Sequence, residues 1–396
     1  MTDTVLCINA GSSSLKFKVF EAATDGDLPV RLEGQLEGIG DKPHLAANDG
    51  EGRQLVDQGF TAAEIPDVGA AVPRILDWLR DHLKDALPVV VGHRVLLGGT
   101  RYAAPVMIDD EVFSYLGSIE KLAPLHMPSE LSPIAAIRSL APELPQVAVF
   151  DTSFHRGHAE AIQRLPLPDA LHQEGVLRYG YHGISYEYIS QKLPEVAPDI
   201  AKGKVVVAHL GSGCSLCALD NGKSVDSTMS FTALDGVPMG TRPGHLDPGA
   251  VLYLFQVKGM SPKEVEHFLY KECGLKGLSG VSNDVRELLE SNAPRAKMAL
   301  EYFSLNCARA VAELATVMGG IDALVFTAGV GEHAAPVRAA IAERLAWLGL
   351  ELDEAANAAH GPRIASEGSA VDCYVVPTNE ELMIARHSLA LVRGRA

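Results

Sequence analysis

Apolar residues run along this chain in two rhythms. Residues 5–9, 88–95, 146–150, 204–209, 322–328 and 373–376 form short, nearly unbroken apolar runs, the mark of strands covered on both faces. Residues 15–20 alternate instead, Leu15, Phe17 and Val19 against Lys16 and Lys18, which predicts a second strand joined to the first by a hairpin tip. Helical spacing marks residues 68–83, a segment from about Asp109, another from Ser132, residues 294–318 and a C-terminal helix capped by Asn379. In the long helix, Met298, Tyr302, Leu305, Ala308, Ala312 and Ala315 lie to one side, predicting a core-facing stripe. A polar stretch reaches to about residue 65, and Ala123-Pro124-Leu125-His126-Met127-Pro128 reads as a loop. Strands alternating with helices imply a covered α/β sheet. From residue 204 a strand, turn, strand and Asn221-Gly222 turn repeat the opening series, so the chain reads as internally duplicated.

Length and charge narrow the classes. A chain of 396 residues exceeds one ordinary core and fits two domains. No apolar run approaches the roughly 18 residues of a membrane span, and the amino terminus carries no basic leader, so no membrane partner and a cytoplasmic location are expected. With 34 Lys and Arg against 50 Asp and Glu, net charge −16, nucleic acid is not an expected partner. An anionic ligand must then meet a few well-placed cations. The six cysteines read as buried thiols. Cys214 and Cys217 form a C-x-x-C without a second pair, and His155 and His158 lack a matching ligand set, so no zinc site is expected.

Three glycine-centred turns each follow an apolar run: Asn9-Ala10-Gly11-Ser12-Ser13-Ser14-Leu15-Lys16, His209-Leu210-Gly211-Ser212-Gly213, and Gly329-Val330-Gly331-Glu332-His333. Without a Cβ, glycine lets backbone N–H groups approach phosphate oxygens. The first turn leads into a strand, so it is not a P-loop. The third opens a helix, with Pro336 and Arg338 in its first turns. Arg94 and Asp151 follow buried runs, at strand ends where α/β proteins place chemistry, and they also fit a structural ion pair. Arg242 sits in a Gly/Pro-rich loop and His182 in the Gly-flanked Tyr181-His182-Gly183.

Together with Gly92-His93-Arg94-Val95, Phe150-Asp151-Thr152-Ser153-Phe154-His155, Met239-Gly240-Thr241-Arg242, Ser282-Asn283-Asp284-Val285-Arg286 and Pro377-Thr378-Asn379-Glu380-Glu381, these stretches make the chain resemble the acetate kinase family along its full length. The resemblance implies two duplicated actin-like (ribonuclease H-like) domains with mixed sheets flanked by helices and the active site in the interdomain cleft. The first domain would span 1–150, completed by about 378–396, and the second, nucleotide-binding domain 151–377. It implies a Mg²⁺-dependent kinase moving the ATP γ-phosphoryl group onto acetate or propionate, reversibly giving acyl phosphate and ADP, in a homodimer. By the same carry-over Asn9 and Glu380 serve the metal, and Arg94, Asp151, His182 and Arg242 the reaction centre. Lys16, His209, Leu210, Gly211, Ser212 and Gly213 serve phosphate, and Asp284, Val285, Arg286, Gly329, Val330, Gly331, Glu332 and His333 the adenosine end. Leu96, Leu125, Tyr181 and Ala233 correspond to the family's acyl pocket.

A carboxylic acceptor is already ionised at neutral pH, so it needs no general base, and Asp151 is expected to orient an arginine or a metal-bound water. The chain departs from the family pattern at Ser212, Leu97, Met127, Ile184, Tyr186 and His333, none of them a charged reaction-centre position. Two other readings fit the phosphate turns: a kinase using butyrate or pyrophosphate, and a non-catalytic actin- or chaperone-like nucleotide switch. A switch, however, has no need of Arg94, Asp151, His182 and Arg242 together.

Overall fold

The strand at residues 4–10 is buried along nearly its whole length, and everything in the first half of the fold is built outward from it. The computed structural model describes residues 3–11, 13–22, 28–83 and 86–394, so Ser12 of the first glycine turn lies outside the described residues. The chain divides into two compact units, Met1–Ser153 with Asn379–Ala396, and Phe154–Thr378. Each is α/β, a mixed sheet flanked by helices.

The first unit holds β1 (Thr4–Ala10), β2 (Ser14–Glu21), β3 (Val30–Glu37), β4 (His44–Asp49), β5 (Gln54–Gly59), β6 (Pro88–Val95), β7 (Val106–Met107) and β8 (Gln146–Phe150). They form one sheet in the order β5-β4-β3-β2-β1-β6-β8-β7, in which β1, β6 and β8 run parallel. The helix Val68–Leu83 packs Val68, Val72, Ile75 and Leu79 against Leu15, Phe17 and Val19 of β2. The C-terminal helix Glu380–Val392 lies on β6 and β1. Its close approach needs Gly92, where a Cβ would stand 2.3 Å from Ser388 Oγ and 2.5 Å from Ile384 Cγ2. As expected, Asn379 caps this helix, its Oδ1 accepting the Leu382 N–H at 3.1 Å.

The second unit holds β9 (Lys204–Leu210), β10 (Cys214–Asp220), β11 (Lys223–Ser227), β12 (Ala323–Thr327) and β13 (Asp372–Val375), ordered β11-β10-β9-β12-β13. This retraces the path β3-β2-β1-β6-β8: three antiparallel strands, then two parallel ones on the other side of the first. The duplication read from the sequence is thus a duplication of topology.

Three sequence readings need correction. The polar stretch before residue 65 contains β3, β4 and β5, whose inward residues Leu32, Leu36, Leu45 and Ala47 are too sparse to show a period. The segment read as a loop at 123–128 already starts the helix Met127–Leu140, with proline tolerated in its first turn. In the helix Pro294–Met318 the buried face carries Ala299, Phe303, Cys307, Val311 and Leu314, while Met298, Tyr302 and Leu305 are exposed.

Polar groups are also built into the second core. His155 and His158 both reach the Ser224 hydroxyl at 2.7 Å, and His155 Nε2 meets the Tyr181 carbonyl at 3.1 Å, beneath the turn that carries His182. Burial pushes His155 down to about 4 and, with the neighbouring His155 and Arg178, pushes His158 down to about 3. Histidines kept neutral by folding take up protons only in the unfolded chain, so stability is full above about pH 6.5 and falls as the pH drops toward 4. Urea unfolding is expected to show a lower midpoint at pH 5 than at pH 7, with a shallower drop in His158→Gln; an equal drop in both proteins contradicts this origin. Gly92→Ala is expected to destabilise the protein by roughly 1–3 kcal/mol through overpacking, read as a lower thermal midpoint; an unchanged midpoint contradicts it.

Candidate functional site

Parallel strands deliver their carboxyl ends to one edge of a sheet, and in the first unit three of them do so together. β1 brings Asn9, β6 brings Arg94, and Asp151 follows β8 directly, its N–H donating to the Val95 carbonyl at 3.1 Å. Arg94 donates from Nη2 to Asp151 Oδ2 at 2.5 Å and from Nε to Oδ1 at 3.3 Å, a two-pronged fork. Its Nη1 donates to Asn9 Oδ1 at 3.4 Å and lies 3.8 Å from Glu130 Oε1. Asp151 is fully buried. The ion pair that the sequence left open is therefore present, with Asp151 orienting the arginine.

Carboxylates outnumber cations here. Burial opposes the Arg94 charge, but Asp151, Glu130 and Glu380 outweigh it and hold the guanidinium well above its usual range. Burial raises the Asp151 carboxyl against the pull of Arg94. Burial also carries Glu130 up to about 7, with Arg94 and the Leu96 N–H opposing it. Glu380, at the start of the C-terminal helix, is likewise raised to about 7 by burial and by Asp151 and Glu381, against Arg94 and Lys16. Glu130 is absent from the sequence candidates, because it falls between the loop read at 123–128 and the helix read from Ser132, where no local pattern marks it. Lys16 is exposed on β2, beside a recess of about 360 Å³ that Lys18, Glu33 and Glu381 also line. Leu96 is buried two residues beyond Arg94, whereas Leu125 is exposed.

The second unit gathers the remaining candidates. His182 adopts φ 57°, at the start of the helix Gly183–Val196, and its ring stacks on His209 with centroids 4.2 Å apart. Ser215 Oγ lies 2.8 Å from His182 Nδ1 and 2.5 Å from the Tyr186 hydroxyl, while His209 Nδ1 meets Ser185 Oγ at 2.8 Å. Ser215 links the Tyr186 hydroxyl to the His182 ring. Tyr186, noted in the sequence only as a departure, thus belongs to the hydrogen-bonded group around His182. Arg242 Nη1 donates to the Ala233 carbonyl at 2.7 Å. A Cβ on Gly213 would stand 2.6 Å from Arg242 Nη2 and 3.3 Å from His182 Nε2, so both side chains close over this glycine. Tyr181 is buried, its hydroxyl donating to the Phe231 carbonyl at 2.6 Å. Cys214 donates to the Gly211 carbonyl and is pushed by burial up to about 12, an inert thiol.

Beside these groups, still within the second unit, lies a cavity of about 450 Å³. Gly211, Ser212, Asp284, Val285, Arg286, Gly329, Val330 and His333 line it, together with Leu289 and Pro336. Leu210 is instead wholly buried, and His209, Gly213, Gly331 and Glu332 are not among the lining residues. Glu332 turns back to accept the Ala328 N–H at 2.8 Å and the Thr378 N–H at 3.3 Å. The third glycine turn is a short helix, Ala328–His333, which ends before a separate helix at Ala335–Glu343 that carries Pro336 and Arg338. Arg338 is wholly buried and donates to the carbonyls of Gly331 and Glu332.

The chain is similar to known proteins in sequence and in fold. The Acetokinase family matches residues 4–386. An acetate kinase of Nitrobacter hamburgensis is 51% identical over 394 residues, covering 100% of this chain and 97% of the relative. One from Rhizobium meliloti is 50% identical over 390 residues, covering 98% of each. Among solved structures, a propionate kinase from Francisella tularensis superposes with a TM-score of 0.90 at 34% identity, covering 98% of this chain and 99% of the other. The acetate kinase of Porphyromonas gingivalis gives 0.87 at 34% identity, covering 98% and 100%. Likeness of this extent, in sequence and in fold alike, shows that the chain belongs to the acetokinase family.

Proposed function

We propose that the protein transfers the γ-phosphoryl group of ATP to acetate or propionate, reversibly giving acyl phosphate and ADP by direct in-line displacement. The observation that carries the reading is the closure of Arg242 and His182 over Gly213, next to a cavity bordered by two glycine turns. Backbone N–H groups at such turns suit phosphate, and the cavity suits the nucleoside. Arg242 and His182 brace the oxygens of the phosphoryl group as its charge spreads in a loose transition state. Arg94, its fork occupied by Asp151, presents the Nη1 side to the acceptor carboxylate, with Leu96 beside it. Two anions about 4 Å apart repel by about 4 kcal/mol at an effective dielectric of 20, and these cations offset that cost.

The carboxylates around Arg94 also bear on the metal. Among the described residues no three His, Cys, Asp or Glu side chains stand as a ready-made metal cage. That suits Mg²⁺, which keeps water and phosphate ligands and takes one or two protein oxygens. Asn9 Oδ1 and Glu380 would be those oxygens, and the ion would neutralise phosphate charge.

The proposal extends to a homodimer and a cytoplasmic location. The helix Pro248–Gln256 buries none of its residues and exposes Leu252, Tyr253 and Phe255, a face suited to a second copy. Among the described residues no helix is long and apolar enough to cross a membrane.

Trapping acyl phosphate with hydroxylamine, in the presence of ATP, Mg²⁺ and each acid, tests the activity. Hydroxamate is expected with acetate or propionate, and none with any acid contradicts the reading. Arg242→Ala is expected to lower kcat roughly 10²–10³-fold; near-normal turnover would remove Arg242 from the reaction centre. Gly213→Ala should displace Arg242 and lower kcat while the protein keeps its wild-type circular dichroism. Full activity in that variant would show the close approach to be dispensable.

A further inference from the structure

One buried carboxylate in the first unit has no part in the reaction as proposed. Glu130, on the helix Met127–Leu140, is 2% exposed. Its Oε2 accepts the Leu96 N–H at 2.8 Å, and its Oε1 lies 3.8 Å from Arg94 Nη1, beyond hydrogen-bond reach. Asp151 already fixes the orientation of the guanidinium through its fork. Glu130 therefore adds charge beside Arg94 without being needed to aim it, and does so on the Nη1 side assigned to the acceptor. We infer that Glu130 sets the affinity for the carboxylate acceptor, its negative charge weakening the hold of Arg94 on the incoming anion. This rests on the reading of Arg94 as the acceptor's cation.

The surroundings bear on when that charge is present. Arg94 at the end of β6 and Asp151 after β8 are the charged groups acting on Glu130, and the Leu96 N–H is its hydrogen-bond donor. Glu380 acts on Arg94 from the C-terminal helix. With Glu130 raised to about 7, its carboxyl is largely neutral at pH 6 and ionised at pH 8.5. Acceptor binding should then weaken as pH rises through neutrality. The Leu96 contact adds a second effect: Glu130 pins the backbone of the residue that stands beside the acyl group, so a purely structural role is the competing explanation.

Glu130→Gln separates charge from hydrogen bonding, because the amide oxygen can still accept the Leu96 N–H. Steady-state KM values for acetate and for ATP, measured at pH 6 and pH 8.5, are the readout. At pH 8.5 the variant is expected to lower the acetate KM roughly three- to tenfold, with the ATP KM within about twofold of wild type. At pH 6 the two proteins should converge. Glu130→Ala, which also removes the hydrogen bond, should move the acetate KM in the same direction at pH 8.5. An acetate KM unchanged in Glu130→Gln but raised in Glu130→Ala would overturn the inference and leave Glu130 a structural residue. An acetate KM that rises in both variants would overturn it too. Arg94→Gln serves as the control: if it leaves the acetate KM at the wild-type value, the reading of Arg94 itself fails, and the inference falls with it.

Discussion

The structure of the first unit turns on one ion pair, Arg94 with Asp151, made where two parallel strands end. A lone buried guanidinium or carboxylate is costly, and removing one partner of such a pair typically costs about 3–5 kcal/mol. The pair is affordable here because its geometry is a fork and because Asp151 is tied to β6 through its own N–H. What sets this site apart from a structural salt bridge is its surplus of negative charge. Glu130 and Glu380 also act on the one arginine, and burial lifts both to about 7. A cluster tuned this way holds its cation firmly.

The second unit solves a different problem with different means. Where side chains must come close to the backbone, the fold leaves out the Cβ that would obstruct them. Gly213 lets Arg242 and His182 close in, and the Ala328–His333 turn is braced from behind by Glu332 and the buried Arg338. Deeper still, His155, His158 and Ser224 support the Tyr181 carbonyl beside His182. The two units share one strand path, yet the first gathers carboxylates around Arg94 and the second brings Arg242 and His182 over Gly213.

Much of this was legible in the sequence where one force dominates. The strand Pro88–Val95 and the helix Val68–Leu83 match their apolar patterns, because burial alone selects those residues. Arg94 and Asp151 were visible from the strand-end rule. The strands β3, β4 and β5 are hidden because they bury few positions, and the start of the helix Met127–Leu140 is masked by Pro128, which a first helical turn accepts. Of the stripe read along Pro294–Met318, Ala308 and Ala315 are buried, but Met298, Tyr302 and Leu305 are exposed and Ala299, Phe303 and Cys307 are buried in their place. Glu130 could not be found locally at all. Its role beside Arg94 comes from β6 lying next to its helix, a contact that no spacing within the helix encodes.

We propose that Asp151, through its fork to Arg94, aims the guanidinium at the acceptor, so that the two act as one device. A double-mutant cycle of Arg94→Lys and Asp151→Asn, read as kcat/KM for acetate, measures this directly. Lysine keeps the charge but loses the fork, and asparagine keeps the shape but loses the charge. The account predicts strong non-additivity, with a coupling of roughly 1–3 kcal/mol, the second substitution costing much less once the first is made. Losses that add to within about 0.5 kcal/mol would contradict it.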